Sequence, residues 1–263
     1  MRGYPSNFEG INLKEKVIGI LGGMGPEATA DLFIRIIRET PAKKDQEHLR
    51  VIVDNNPKIP DRTAAILGEG ANPLPEMIKT AKNLEKAGAD FIVMPCITGH
   101  YYFERLKKSV KIPILNMVEL TAQTISKNFP NAKKAGLLGT TGTVKSRLFD
   151  KWLNKFGVEM VYPSKAFQEK IMEAIYDYIK AGKILEGKKL VVDVANHLIE
   201  LGAEIIICGC TEISLVLKNG DITKPVVDPM QILAQTAVKV ALGKNANPKR
   251  LKLKFYTHTE KSS

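Results

Sequence analysis

Short apolar runs alternate along the chain with longer stretches of helical period. In the first half, Val17–Leu21, Val51–Val53, Phe91–Met94 and Pro113–Leu115 read as strands. In the second half, Ala135–Leu138, Val158–Val161, Ile205–Cys208 and Pro225–Val227 do the same. Between them the spacing predicts helices over about 27–39, 73–87, 100–108, 144–156, 168–181, 185–201 and 230–242. The first has Pro26 at an initial helical position and Ala28, Leu32 and Ile36 on one face. Strands separated by helices of this length imply βαβ units and parallel sheets.

The pattern is duplicated. Gly88-Ala-Asp-Phe-Ile-Val-Met-Pro-Cys96 lies over Gly202-Ala-Glu-Ile-Ile-Ile-Cys-Gly-Cys210: a helix-ending glycine, an acid, a buried strand, then a cysteine. The expected fold class is therefore α/β, with two similar lobes related by a pseudo-twofold, each a parallel sheet flanked by helices. The lobes are placed at 17–118 and 135–228, with a hinge near Glu119–Lys134. The helix over 229–242 is expected to pack back on the first lobe, leaving tails at 1–16 and 244–263. Each cysteine then stands at the carboxyl end of a strand, where open α/β sheets place ligands. Two thiols facing one another across a cleft could serve as acid and base on opposite faces of a substrate, as stereoinversion at carbon requires.

The 263 residues are 44% apolar and 25% charged, ordinary for a globular protein. No apolar run reaches the roughly 18–20 residues of a membrane span. The first sixteen residues are polar and do not read as a signal peptide, so a cytoplasmic location is expected. Three cysteines do not make a disulfide framework. The net charge of +11 is concentrated at one end, with six Lys/Arg against one Glu in the last twenty residues. That reads as a solvated, partly disordered tail rather than a nucleic-acid surface, and no membrane or nucleic-acid partner is expected.

Singly, the motifs are weak. Gly22-Gly23-Met24-Gly25-Pro26, after a strand and before a helix, can cradle an anion but is not a dinucleotide fingerprint. Gly139-Thr140-Thr141-Gly142-Thr143 is its hydroxyl-rich counterpart. Cys208 reads as a buried hydrophobe, and Cys208-x-Cys210 lacks a second ligand pair for metal. A redox pair of Cys96 with Cys210, or a hydrolase built on Cys96 and His100, remain open alternatives.

Together the motifs say more. Leu21-Gly-Gly-Met-Gly-Pro, Asn55-Asn-Pro-x-Ile-Pro-Asp-Arg-Thr63, Met94-Pro-Cys-x-Thr-x-His100, Leu138-Gly-Thr-Thr-Gly-Thr143 and Gly209-Cys-Thr-Glu-Ile213 occur in this order. The string closely resembles the aspartate/glutamate racemase family, and within it the aspartate racemases, over roughly Val17 to Leu242. The resemblance implies interconversion of L- and D-aspartate without pyridoxal phosphate, any other cofactor or a metal, in a homodimer. It implies Cys96 and Cys210 as proton donor and acceptor, and Arg62 and Lys180 as grips for the substrate carboxylates. Met24, Thr98, Gly99, Thr140, Thr141, Thr211 and Glu212 would line the rest of the substrate site. The family's Cys-Asn-Thr-Ala-His becomes Cys96-Ile97-Thr98-Gly99-His100 here. At the mouth of a polar pocket, Ile97 removes hydrogen bonds worth about 0.5–1.5 kcal/mol each. Related activities therefore stay open: a two-cysteine enzyme for glutamate, another amino acid or a small dicarboxylate, or a silent binding protein.

Overall fold

The computed structural model describes residues 15–243. The basic tail over 244–263 and most of the N-terminal tail lie outside them. Two parallel sheets form. The first orders β1 (Ile18–Gly22), β2 (Val51–Asn55) and β3 (Phe91–Val93) as β2-β1-β3. The second orders β4 (Lys134–Leu138), β5 (Glu159–Val161), β6 (Ile205–Cys208) and β7 (Val226–Val227) as β5-β4-β6-β7. The expected strand Pro113–Leu115 is a single parallel bridge, Ile114 to Ile92, at the place β7 holds in the second sheet. The duplication is thus one of topology, as in a two-lobed α/β fold. Gly88 and Gly202 end their helices with φ of 92° and 94°, a conformation that glycine adopts without a Cβ clash. Each turns the chain directly into the strand that leads to a cysteine.

Several elements differ from expectation. The segment read as a hinge carries a helix, Met117–Asn128, capped by the Asn116 side chain, which accepts the N–H groups of Val118 and Glu119. It buries Met117, Val118, Thr121, Ala122 and Ile125, a helical apolar stripe. The helix expected over 144–156 is broken into Thr141–Lys145, Asp150–Leu153 and a 3-10 turn, with Arg147 at a left-handed φ of 50° between the first two. The helix expected over 168–181 starts at Lys165, widens into a π turn over Ala174–Tyr178 and closes as a 3-10 turn. The one expected over 100–108 begins as a 3-10 turn, Thr98–Tyr102. Two short helices, Arg62–Leu67 and Thr211–Val216, occupy segments for which the pattern predicts no helix.

One apolar core is continuous across both sheets. It joins Ile18, Ile20 and Val93 of the first to Ala135, Leu137, Ile205 and Ile207 of the second through the helices Met117–Asn128 and Pro229–Leu242. Beside it lies a buried polar clamp. Arg35, 9% exposed, donates to Asp31 at 2.7 Å, to Asp228 at 2.6 Å and to the Ser214 carbonyl at 3.3 Å. Asp228 in turn caps the last helix through the N–H of Met230. Burial disfavours the Arg35 charge, but the two carboxylates outweigh that and raise its pKa. Removing one partner of such a group strands the others. Arg35→Met is expected to lower the unfolding free energy by roughly 3 kcal/mol, read as a shift of the urea midpoint at unchanged slope.

Candidate active site

The loops leaving β1, β3, β4 and β6 converge on one small pocket. Cys96 follows β3 by three residues and Cys210 follows β6 by two, and both thiols line this space. Around them stand Met24, Arg62, Ile97, Thr98, Thr140, Lys180, Thr211 and Glu212. Of the residues expected to contact substrate, Gly99 and Thr141 are not in the lining. Gly99 instead donates its N–H to Cys96 Sγ at 3.3 Å. Thr141 lies behind, accepting from Gln168.

Asp61, Thr63 and Tyr176 complete the wall. Asp61 caps the short helix that carries Arg62, through Ala64 N–H, and accepts the Tyr176 hydroxyl at 2.9 Å. The cap was legible as an acid before an apolar run; Tyr176, which lies in the π turn, had no such signal. Hydroxyls stitch the two lobes together. Thr63 donates to Thr140 at 3.0 Å, and Thr98 contacts Thr140 and Thr143 at 3.1 and 2.9 Å. Gly142 permits this approach, since a Cβ there would come within 2.9 Å of the Thr63 backbone.

The charges are arranged unequally. Arg62 bonds the carbonyls of Pro60 and Met24, while its buried Nε has no hydrogen-bond partner among the described residues. Burial pulls its pKa down, but Cys96 and Asp61 beside it raise it on balance. Lys180 Nζ pairs with Glu212 Oε1 at 2.9 Å, and Cys210 Sγ donates to Glu212 Oε2 at 2.8 Å. Burial pushes the Glu212 carboxyl up; Lys180 and the thiol outweigh it and hold it below the ordinary range. Burial first, and Glu212 second, push the Cys210 thiol well up.

His100 takes no part in thiol chemistry. Its Nε2 accepts the Met117 N–H at 3.1 Å, so Nδ1 carries the proton and donates to the Cys96 carbonyl at 2.8 Å. Both ring nitrogens are committed to backbone, which removes the hydrolase alternative. Ile97 is also placed otherwise than expected. It is 1% exposed and packed in the core with Ile20, Val93 and Met117, so it forms a hydrocarbon wall rather than a rim. Cys208 is fully buried in the second lobe's core. Among the described residues, no cluster of His, Cys, Asp and Glu is arranged to hold a metal, and no helix is long and apolar enough to cross a membrane.

A family model described as Asp/Glu/Hydantoin racemase matches residues 21–237. The chain belongs to the Asp/Glu/hydantoin racemase family. Among curated proteins, a broad specificity amino-acid racemase of Bacillus subtilis is 29% identical over 232 residues, covering 86% of this chain and 98% of that one. Among solved structures, an aspartate racemase from Picrophilus torridus superposes with a TM-score of 0.77 at 31% identity, covering 86% of this chain and 94% of that one. An aspartate racemase homologue from Pyrococcus horikoshii gives 0.68 at 27% identity, covering 87% and 100%. The two-lobed architecture of this racemase-family chain is therefore shared with them.

In this racemase-family member the buried His100 links the site to folding. Burial lowers its pKa from 6.5 to about 4. As pH falls below 6.5 the unfolded chain takes up a proton that the native ring refuses, so stability declines until about pH 4 and then levels. The loss attributable to this ring is about 3 kcal/mol. Urea titrations across that window are expected to show the decline in the unaltered protein and a flatter profile in His100→Gln.

Proposed function

We propose that the protein is a pyridoxal-phosphate-independent racemase that interconverts L- and D-aspartate by two-base proton transfer at Cα. The observation that carries this reading is the pair of thiols at equivalent strand ends of the two lobes, lining one small pocket with the buried Arg62 guanidinium and the Lys180 ammonium. One thiolate removes the α-proton as the opposing thiol donates its proton to the other face; the first ends as thiol and the second as thiolate.

Arg62 and Lys180 suit a substrate with two carboxylates. The free Nε of Arg62 is a buried donor awaiting an anion, and charge-assisted bonds of this kind are worth about 1.5–3 kcal/mol. As the α-proton leaves, charge grows on the α-carboxylate, and a preorganised cation there lowers the barrier. Glu212, still accepting from Lys180, and the threonine hydroxyls offer acceptors for the α-ammonium. The functional unit would comprise lobes 17–118 and 135–228 with the 229–242 helix, working as a cytoplasmic homodimer. Ile97 favours a second reading, a racemase of wider side-chain range, because the wall it forms offers no hydrogen bond to a polar side chain.

Proton NMR in deuterium oxide tests both. With L-aspartate the Cα–H signal is expected to vanish as D-aspartate accumulates carrying deuterium, while the remaining L-aspartate stays protonated early in the reaction. Arg62→Ala is expected to lower kcat/KM about 10²–10³-fold. Exchange with glutamate or apolar amino acids in place of aspartate would move the assignment to the wider range, and Ile97→Asn would then shift preference toward aspartate. No exchange with any amino acid would refute the racemase.

A further inference from the structure

The two thiols occupy unlike surroundings. Cys96 Sγ accepts a backbone N–H from Gly99 and lies beside the Arg62 guanidinium, both of which stabilise negative sulfur. Cys210 Sγ instead meets an acceptor, the Glu212 carboxylate, at 2.8 Å. Glu212 is 5% exposed and is held in place by Lys180 at 2.9 Å, so it cannot swing away without stranding a buried charge. Lys180 touches the opposite carboxylate oxygen from the one that faces the thiol. Gly25 backs this pair: a Cβ there would stand 3.2 Å from Glu212 Oε1, so the first lobe's glycine loop closes directly over it.

We propose that Glu212 is a positioning residue that sets the resting protonation of the pair, holding Cys210 as the thiol donor and leaving Cys96 as the thiolate base. This rests on the racemase reading and adds a direction to it. The enzyme at rest is poised for the enantiomer whose α-hydrogen faces Cys96. Cys96 takes that proton, Cys210 gives its own to the other face, and Cys210 is left as a thiolate against the Glu212 carboxylate. That like-charge contact, only partly offset by Lys180, favours return of the proton to Cys210 and reset of the site. The mirror-image substrate must use the less populated protonation state, which raises its apparent KM. The burial and the carboxylate contact that push the Cys210 thiol up agree with this arrangement.

Iodoacetamide labelling of each cysteine, followed by peptide mass spectrometry from about pH 6 to about pH 10, tests it around the ordinary thiol value near 8.5. Midpoints of the rate profiles are compared, because differences in access change amplitudes and not midpoints. In the unaltered protein, the Cys210 midpoint is expected to lie well above that ordinary value. Glu212→Gln, which removes the carboxylate and frees Lys180, is expected to move the Cys210 midpoint down by at least about one unit. That is roughly a tenfold gain in labelling rate at neutral pH, with Cys96 little changed. Glu212→Asp is expected to restore part of the high midpoint.

An ordinary Cys210 midpoint in the unaltered protein, or an unmoved one in Glu212→Gln, would overturn the proposal. If Glu212→Gln does not fold, the Cys210 midpoint in the unaltered protein decides. Cα–H exchange on the same samples separates the two levels. Exchange with an ordinary Cys210 midpoint keeps the racemase and rejects the role of Glu212; a raised midpoint with no exchange for any amino acid removes the racemase and, with it, the direction.

Discussion

Everything at the site depends on a rigid relation between two strand ends. The two-base reading proposed above requires one thiol on each face of the reacting carbon, and each cysteine follows a strand of a different sheet. The shared apolar core supplies that constraint. Helices Met117–Asn128 and Pro229–Leu242 bury residues against both sheets, so the lobes pack as parts of one interior. The Arg35 clamp ties the first helix, Pro26–Glu39, to the cap of the last one and to the Ser214 carbonyl, two residues beyond Glu212. The threonine cluster and the Asp61–Tyr176 bond then hold the mouths of the loops together.

Within that frame the electrostatics are unusual for so small a space. Arg62, Lys180, Glu212 and Asp61 all line the pocket, yet none is an isolated charge. Arg62 rests on backbone carbonyls, Lys180 and Glu212 neutralise each other, and Asp61 accepts from a helix N–H and a tyrosine. Buried charge is tolerated when it is paired and hydrogen-bonded. Among these groups only one N–H is left without a partner, the buried Nε of Arg62.

Much of this was legible in the sequence because it rests on local chemistry. The alternating apolar runs marked nearly every strand, and Gly88 and Gly202 marked where each helix gives way to its cysteine-bearing strand. Other features depend on partners far along the chain. The apolar stripe Met117, Val118, Thr121, Ala122 and Ile125 was present, but its position between two lobes suggested a hinge, and the partners it packs on, the last helix above all, lie far along the chain. The left-handed Arg147 and the π turn at Ala174–Tyr178 have no single-residue signature. Ile97 and His100 were legible as residue types, but their roles are set by core neighbours and by the Met117 N–H.

The most direct measurement of the central claim uses a substrate that needs only one base. With 3-chloroaspartate, a thiolate removes the α-proton, the C–Cl bond breaks, and the enamine formed hydrolyses to a keto acid and ammonium. Neither Cys96→Ala nor Cys210→Ala should racemise aspartate. If the thiols face opposite sides of Cα, each variant should still release chloride from one enantiomer series of the chlorinated substrate, and the two variants should choose mirror-image series. Both variants acting on the same series, or either acting on both, would show that the two cysteines do not face each other across the reacting carbon.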